Sequence, residues 1–271
     1  MNFPLTGATR LYVILGDPIA QVKSPGGVTK SFHARGLDAI LVPVQVAPAD
    51  LKLTLDALTQ LKNLDGIVVT VPHKFGCFAY CHSASERSGY LGAVNVMRRD
   101  GDGWHGDIVD GLGFVGAVRS HGVDPKGKRA LLVGAGGAGS AIALALVEAG
   151  VSELAIHDGD AARRDALITR LSALGKSRIS VGSPDPTGCN FVANATPAGM
   201  KPGDPLPIDV AKLTSAMYVG CVITSPAISP LVAAARACGC VTGAGSEMYG
   251  ALQEMMVDFL LFADAKREAR A

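Results

Sequence analysis

The segment Ala130-Leu131-Leu132-Val133 runs straight into Gly134-Ala135-Gly136-Gly137-Ala138-Gly139, and the apolar stretch Ala141 to Val147 follows at once. This succession of strand, glycine turn and helix constrains the chain more than any other feature. In a G-x-G-x-x-G turn that opens a helix, the first glycine permits the turn and the second lets the backbone approach a pyrophosphate. The third lets helix and strand pack closely. The helix start then offers unpaired N–H groups and a positive dipole end to the phosphates. A glycine pattern alone is a weak signal, but this one has its strand and its helix. Gly134, Gly136, Gly137, Ala138 and Gly139 are therefore predicted to cradle a dinucleotide.

An acidic residue at the right distance strengthens the prediction. Asp158 lies nineteen positions after Gly139, just past the strand-like Glu153 to His157. A carboxylate there accepts hydrogen bonds from the adenosine ribose hydroxyls and repels the additional phosphate of NADP. NAD is accordingly the expected cofactor, with NADP second. The competing role for Asp158 is a helix N-cap, to which Asp160 is equally suited. Arg163 and Arg164, one turn onward, retain the capacity to hold a phosphate.

Short apolar runs alternate with helical patterns along the whole chain. Leu11 to Leu15, Ala39 to Val46, Gly66 to Val71 and Ala93 to Met97 read as extended pieces, and Pro48 to Leu61 as a helix. The second half repeats the pattern, with strands at 129–133, 153–157, 178–181, 191–195 and 217–222 and helices at 137–149, 161–174, 229–238 and 247–265. This predicts an α/β protein with a mostly parallel sheet. The polar turn Arg99-Asp100-Gly101-Asp102-Gly103 marks the predicted seam. An N-terminal α/β substrate domain would cover 1–104, and a Rossmann-type, doubly wound dinucleotide domain 105–240. The closing helix, within 241–271, would return to the first domain.

Composition excludes several alternatives. With 48% hydrophobic and 18% charged residues the chain is globular, and its formal charge of +1 gives no basis for a nucleic-acid or anionic-membrane partner. No apolar run approaches the roughly 18 residues of a membrane span. The first ten residues lack the pattern of a signal peptide. The six cysteines form no C-x-x-C pair and have no histidine at zinc-ligand spacing, so neither a metal site nor a disulfide framework is expected. A cytoplasmic enzyme of small molecules fits these limits. His73, His82, His105 and His121 are dispersed and read as core or solvated residues, Trp104 as packing, and the basic end 266–270 as a helix terminus.

The sharpest signal outside the glycine turn is Thr70-Val71-Pro72-His73-Lys74. A lysine straight after a strand and a proline turn sits at the carboxyl edge of a parallel sheet, where α/β enzymes place their chemistry. Further on, Gly106-Asp107-Ile108-Val109-Asp110-Gly111 puts Asp110 at a helix start. Taken singly, Lys74 reads as a surface charge and Asp110 as an N-cap. Together with Gly16-Asp17-Pro18-Ile19, Lys23-Ser24-Pro25, Leu91-Gly92-Ala93-Val94-Asn95 and Asn194-Ala195-Thr196-Pro197-Ala198-Gly199-Met200, they resemble the shikimate dehydrogenase family over nearly the whole chain.

That resemblance implies hydride transfer between a nicotinamide and a ring carbon of a small hydroxy acid. Lys74 would exchange the proton with the substrate oxygen, and Asp110 would hold the same hydroxyl. Ser24, Thr70, Asn95 and Gln253 would contact the substrate. Asn194, Thr196, Met200 and Met248 would lie by the nicotinamide, and Arg163 by the adenosine end. A homodimer is compatible with the resemblance, though no patch in the sequence demands one.

The chain also departs from the family pattern. Val22 stands where the first of two loop serines belongs, Val68 where an asparagine belongs, and Ile108-Val109 where an Asn-Thr pair belongs. Thr224 replaces a tyrosine, and Gln253 falls one residue late. Each of the first three changes swaps hydrogen-bonding capacity for apolar surface. A pocket that loses such groups loses discrimination between hydroxyl patterns. Three readings follow: a shikimate or quinate dehydrogenase, a dehydrogenase of the same fold for another cyclic hydroxy acid, or a non-catalytic sensor of nucleotide or acid. Retention of both Lys74 and Asp110 speaks against the sensor.

Overall fold

The computed structural model describes residues 5–268, with side chains described through Phe262. The chain divides into two units. One comprises the residues up to Val109 and those from Gln253 on; the other is Asp110–Leu252.

The first unit holds a six-stranded sheet in the order β2-β1-β3-β5-β6-β4. Its strands are β1 (Arg10–Gly16), β2 (Ala39–Gln45), β3 (Leu64–Val69), β4 (Cys81–Ala84), β5 (Val96–Asp100) and β6 (Gly103–Asp107). β2, β1 and β3 run parallel, whereas β5 pairs antiparallel with both β3 and β6. All six residues of β3 are buried, as expected of a strand covered on both faces. Four helices lie between these strands: α1 (Ser24–Ala34), α2 (Leu51–Thr59), α3 (Lys74–Phe78) and α4 (Glu86–Leu91). A Cβ on Gly66 of β3 would lie 2.5 Å from the Leu260 side chain and 2.8 Å from the Tyr12 ring, so a larger residue there would make the Leu260 side chain of the closing helix shift.

The second unit has a fully parallel sheet in the order β12-β11-β10-β7-β8-β9. Its strands are β7 (Arg129–Val133), β8 (Glu153–His157), β9 (Arg178–Val181), β10 (Phe191–Asn194), β11 (Tyr218–Cys221) and β12 (Val241–Gly243). Read from β9, this is the doubly wound order 3-2-1-4-5-6, with its switch point between β7 and β10. The helices are α5 (Asp110–Ser120), α6 (Gly137–Glu148), α7 (Ala161–Ser172), α8 (Pro230–Ala237) and α9 (Gly245–Glu268), the last divided between the units after Leu252. Every residue of α6 from Gly139 to Val147 is buried, so this helix is apolar all round. A Cβ on Gly111 of α5 would sit 2.1 Å from the Ala141 carbonyl oxygen, which explains a glycine at that crossing.

Several sequence expectations change. The turn 99–103 is a hairpin between β5 and β6, so the division falls after Val109 rather than at Trp104. The polar residues mislead because their partners are tertiary. Arg99 donates to the Thr59 and Leu61 carbonyls and lies 4.3 Å over the buried Trp104 ring, whose Nε1 donates to Thr59. At the other end, β12 and the start of α9 stay with the second unit, and only residues from Gln253 return to the first. In the first sheet β5 runs antiparallel to both its neighbours, while the other pairings are parallel. α1 begins at Ser24 despite Gly26-Gly27, because Pro25 fits the first helical turn. Of the basic end, Arg270 lies outside the described residues.

Candidate active site

In the first unit, the loops after β1, β2 and β3 are stitched together at one edge of the sheet. Thr70 N–H donates to the Leu15 carbonyl, Asp17 N–H to Val71 and Val46 N–H to Gly16. Gly16 is required for this approach, since a Cβ there would meet the Thr70 methyl at 2.4 Å. His73 is 2% exposed, and its Nε2 lies 2.7 Å from the Val46 carbonyl oxygen, which ties the start of α3 to the end of β2. Lys74 opens α3 and is itself only 8% exposed. A lysine is almost never buried without a partner or a task. The nearby thiols Cys77 and Cys81 offer no competing nucleophile, because burial pushes each up to about 12.

The segment leading to Asp110 is fixed in the same unit. Val94 N–H donates to the Lys74 carbonyl, Val69 N–H to the Asn95 carbonyl, and Asn95 N–H to the Asp107 carbonyl. The buried Asn95 side chain accepts from Val109 N–H at 3.0 Å. Asp107 accepts from Ser85, from the Arg87 guanidinium and from Ile108 N–H. Ile108 and Val109 are 1% and 3% exposed, so the apolar pair that replaces polar family residues is packed as core. Asp110 follows in the chain and begins α5 of the second unit, 7% exposed. Ser24 is buried at the first turn of α1, Thr70 is half-buried, and the Gln253 amide donates to the Gly27 carbonyl and to Ser31 Oγ.

In the second unit, Gly134 follows β7 with φ +101°, a left-handed conformation that favours glycine. A Cβ there would lie 2.9 Å from Ala195 and from Thr196, so the loops after β7 and β10 meet at the switch point. A Cβ on Gly139 would sit 1.9 Å from the Gly134 carbonyl oxygen. Gly136 caps α6, and a Cβ there would meet nothing within 4 Å. Gly136, Gly137 and Ala138 are partly exposed, so the start of α6 is open to a phosphate, as a dinucleotide requires.

Asp158 is more constrained than the sequence implies. Its Oδ2 accepts from Ala135 N–H at 2.6 Å, and its Oδ1 from Asp160 N–H and from Arg163. Burial opposes its charge, but these donors outweigh it and hold the carboxyl below its ordinary range. The N-cap of α7 is Asp160, which accepts from Arg163 N–H. On the loop after β10, Asn194 is fully buried, and its Oδ1 accepts from Thr196 N–H and Oγ1. Met200 packs on Cys221, Ile223 and Val232, and Met248 is buried in the second unit.

Three residues that organise these loops escape a sequence reading: His73, Asp107 and Cys221. Asp107 stands inside a motif, so its buried charge is the one discoverable signal. The partners of all three come from distant segments. The other histidines also have structural partners: His105 meets Ser83, and His121 lies 3.2 Å from Glu247. Among the described residues, no helix is long and apolar enough to cross a membrane.

Comparison with known proteins shows the family. The family model described as the shikimate dehydrogenase substrate binding domain matches residues 14–97. The shikimate dehydrogenase (NADP(+)) of Rubrobacter xylanophilus is 37% identical over 92% of this chain and 89% of its own. The quinate dehydrogenase of Corynebacterium glutamicum, solved with NAD, superposes with a TM-score of 0.81 at 29% identity over 93% of each chain. The 5-ketofructose reductase of Gluconobacter sp. strain CHM43 superposes with a TM-score of 0.80 at 26% identity, again over 93% of each. A match at this identity across both units places the chain in the shikimate dehydrogenase family of oxidoreductases.

Proposed function

We propose that this protein is an NAD-dependent dehydrogenase that interconverts a small cyclic hydroxy acid of the shikimate or quinate type and its ketone. The observation that carries the reading is the buried lysine, Lys74, at the start of α3 just beyond the sheet edge, where Val94 N–H donates to its carbonyl. The dinucleotide, when bound, supplies the hydride acceptor. The chain supplies the proton chemistry. Lys74 takes the hydroxyl proton on oxidation and returns it on reduction, and Asp110 hydrogen-bonds the same oxygen. Ser24, Thr70, Asn95 and Gln253 contact the acid, and Asn194, Thr196, Met200 and Met248 border the nicotinamide.

NAD is favoured by Asp158. It places a charged carboxylate at the end of β8, and it engages Arg163, the cation best placed for a phosphate. Repulsion of the NADP phosphate by one carboxylate near the surface is expected to be on the order of tenfold in kcat/KM. Asp158→Asn keeps an oxygen for Ala135 N–H while removing the charge. It is expected to narrow the preference for NAD, and initial rates with each cofactor check this. A variant with an unchanged ratio would refute the role.

A second reading is a dehydrogenase of the same fold for a different hydroxylated substrate. Val68, Ile108 and Val109 favour it, since all three are buried apolar residues at positions where the family pattern is polar. Initial-rate oxidation of shikimate and of quinate, each with NAD and with NADP, separates the two. Turnover of either acid supports the first reading. Tight NAD binding without turnover of either rejects both acids and shifts the assignment to another substrate or to a sensor.

A further inference from the structure

We infer that Cys221 is a positioning residue for the loop 195–200, acting through Asn194 and Met200. Cys221 ends β11 and is the register partner of Asn194 on β10, so both side chains leave the sheet on the same face. Asn194 Nδ2 donates to Cys221 Sγ at 3.3 Å, and Ser229 Oγ donates to the same sulfur at 3.3 Å. All three residues are at most 1% exposed. Ser229 is in turn the N-cap of α8, accepting from Val232 N–H. The sulfur therefore joins β10, β11 and the start of α8.

Fixing the amide nitrogen fixes the amide oxygen. Asn194 Oδ1 accepts both the backbone N–H and the hydroxyl of Thr196, and Thr196 Oγ1 accepts from Ala198 N–H. At the far end of the loop, Met200 packs on the cluster of Cys221, Ile223 and Val232. Cys221 thus hydrogen-bonds the residue that leads into the loop and belongs to the cluster on which the last residue of the loop packs. Without an acceptor at position 221, two buried donors lose their partner, a costly state that the loop relieves by moving. The functional consequence rests on the proposal that this loop borders the nicotinamide.

Two variants test the inference. Cys221→Val keeps apolar volume and removes the acceptor, and Cys221→Ser restores an acceptor. Amide hydrogen exchange of the peptide covering 195–200 is measured first, in the ligand-free protein. Exchange is expected to accelerate by about tenfold in the valine variant and to return toward wild type in the serine variant. NAD affinity by titration calorimetry and the KM values for dinucleotide and acid are measured second. Cofactor affinity is expected to fall by about tenfold in the valine variant, with the KM for the acid unchanged. Unchanged exchange in the valine variant, or no rescue by serine, overturns the inference. Accelerated exchange with unaltered NAD affinity and dinucleotide KM leaves the loop held by Cys221 but overturns its functional role. A wild-type protein that binds no dinucleotide refutes the functional reading, while the exchange result still decides whether Cys221 holds the loop.

Discussion

Lys74→Ala is expected to lower turnover by about a thousandfold, since a positioned acid or base contributes 10²–10⁴-fold. Dinucleotide binding should not change, because Lys74 is not among the residues proposed to hold the dinucleotide. The fold should also survive. Bonds that do not involve the Lys74 side chain hold this segment: the His73 ring on the Val46 carbonyl, Val94 N–H on the Lys74 carbonyl, Cys77 N–H on the His73 carbonyl and His73 N–H on the Thr70 carbonyl. Lys74→Met, which keeps most of the aliphatic stem, controls for lost packing and should be as inactive as alanine. Initial rates, NAD titration and thermal unfolding on the same preparations provide the check. A methionine variant with near wild-type turnover would remove Lys74 from the chemistry.

The glycine turn gives the second large effect, and its glycines should separate into two kinds. At Gly139 the position of a Cβ is already taken, 1.9 Å from the Gly134 carbonyl oxygen and 2.8 Å from its carbon. Backbone cannot yield as a flexible side chain does, so Gly139→Ala should destabilise the second unit by about 3 kcal/mol, at the upper end of overpacking costs. Dinucleotide affinity should fall with it by about a hundredfold or more. At Gly136 nothing lies within 4 Å of a Cβ, and φ is −70°, so alanine is conformationally acceptable. Gly136→Ala should therefore leave the melting temperature intact and still weaken binding, because its methyl group fills the space a pyrophosphate must enter. Calorimetric unfolding beside NAD titration distinguishes the cases. Full affinity in a stable Gly136→Ala protein would show that the turn is not the cradle.

Much of the second unit was legible in the sequence because its information is local. The strands at 129–133, 153–157 and 178–181 coincide with β7, β8 and β9, and each of these runs is punctuated by a turn glycine or helix cap nearby. A glycine turn is specified by steric rules that act over six residues, so it can be read without knowing what lies across it. The first unit was harder. The antiparallel β5 and β6 depend on a hairpin whose polar turn looks like a linker, and only pairing with β3 and β4 makes it part of a sheet.

The same division holds at the candidate site. Sequence alone determined the residue types: a lysine after a strand, an aspartate at a helix start, a glycine turn and an acidic residue beyond it. Tertiary structure decided how each is held. It gave Asp158 to Ala135 N–H and Arg163, assigned the N-cap to Asp160, turned the Gln253 amide to α1, and made Asp107 and Cys221 the organisers of their loops. These facts were invisible in the sequence for one physical reason. A hydrogen bond to a buried group depends on which segments meet, and segments such as 85–87 and 107, or 194 and 221, are brought together by sheet pairing and helix packing that no local pattern encodes.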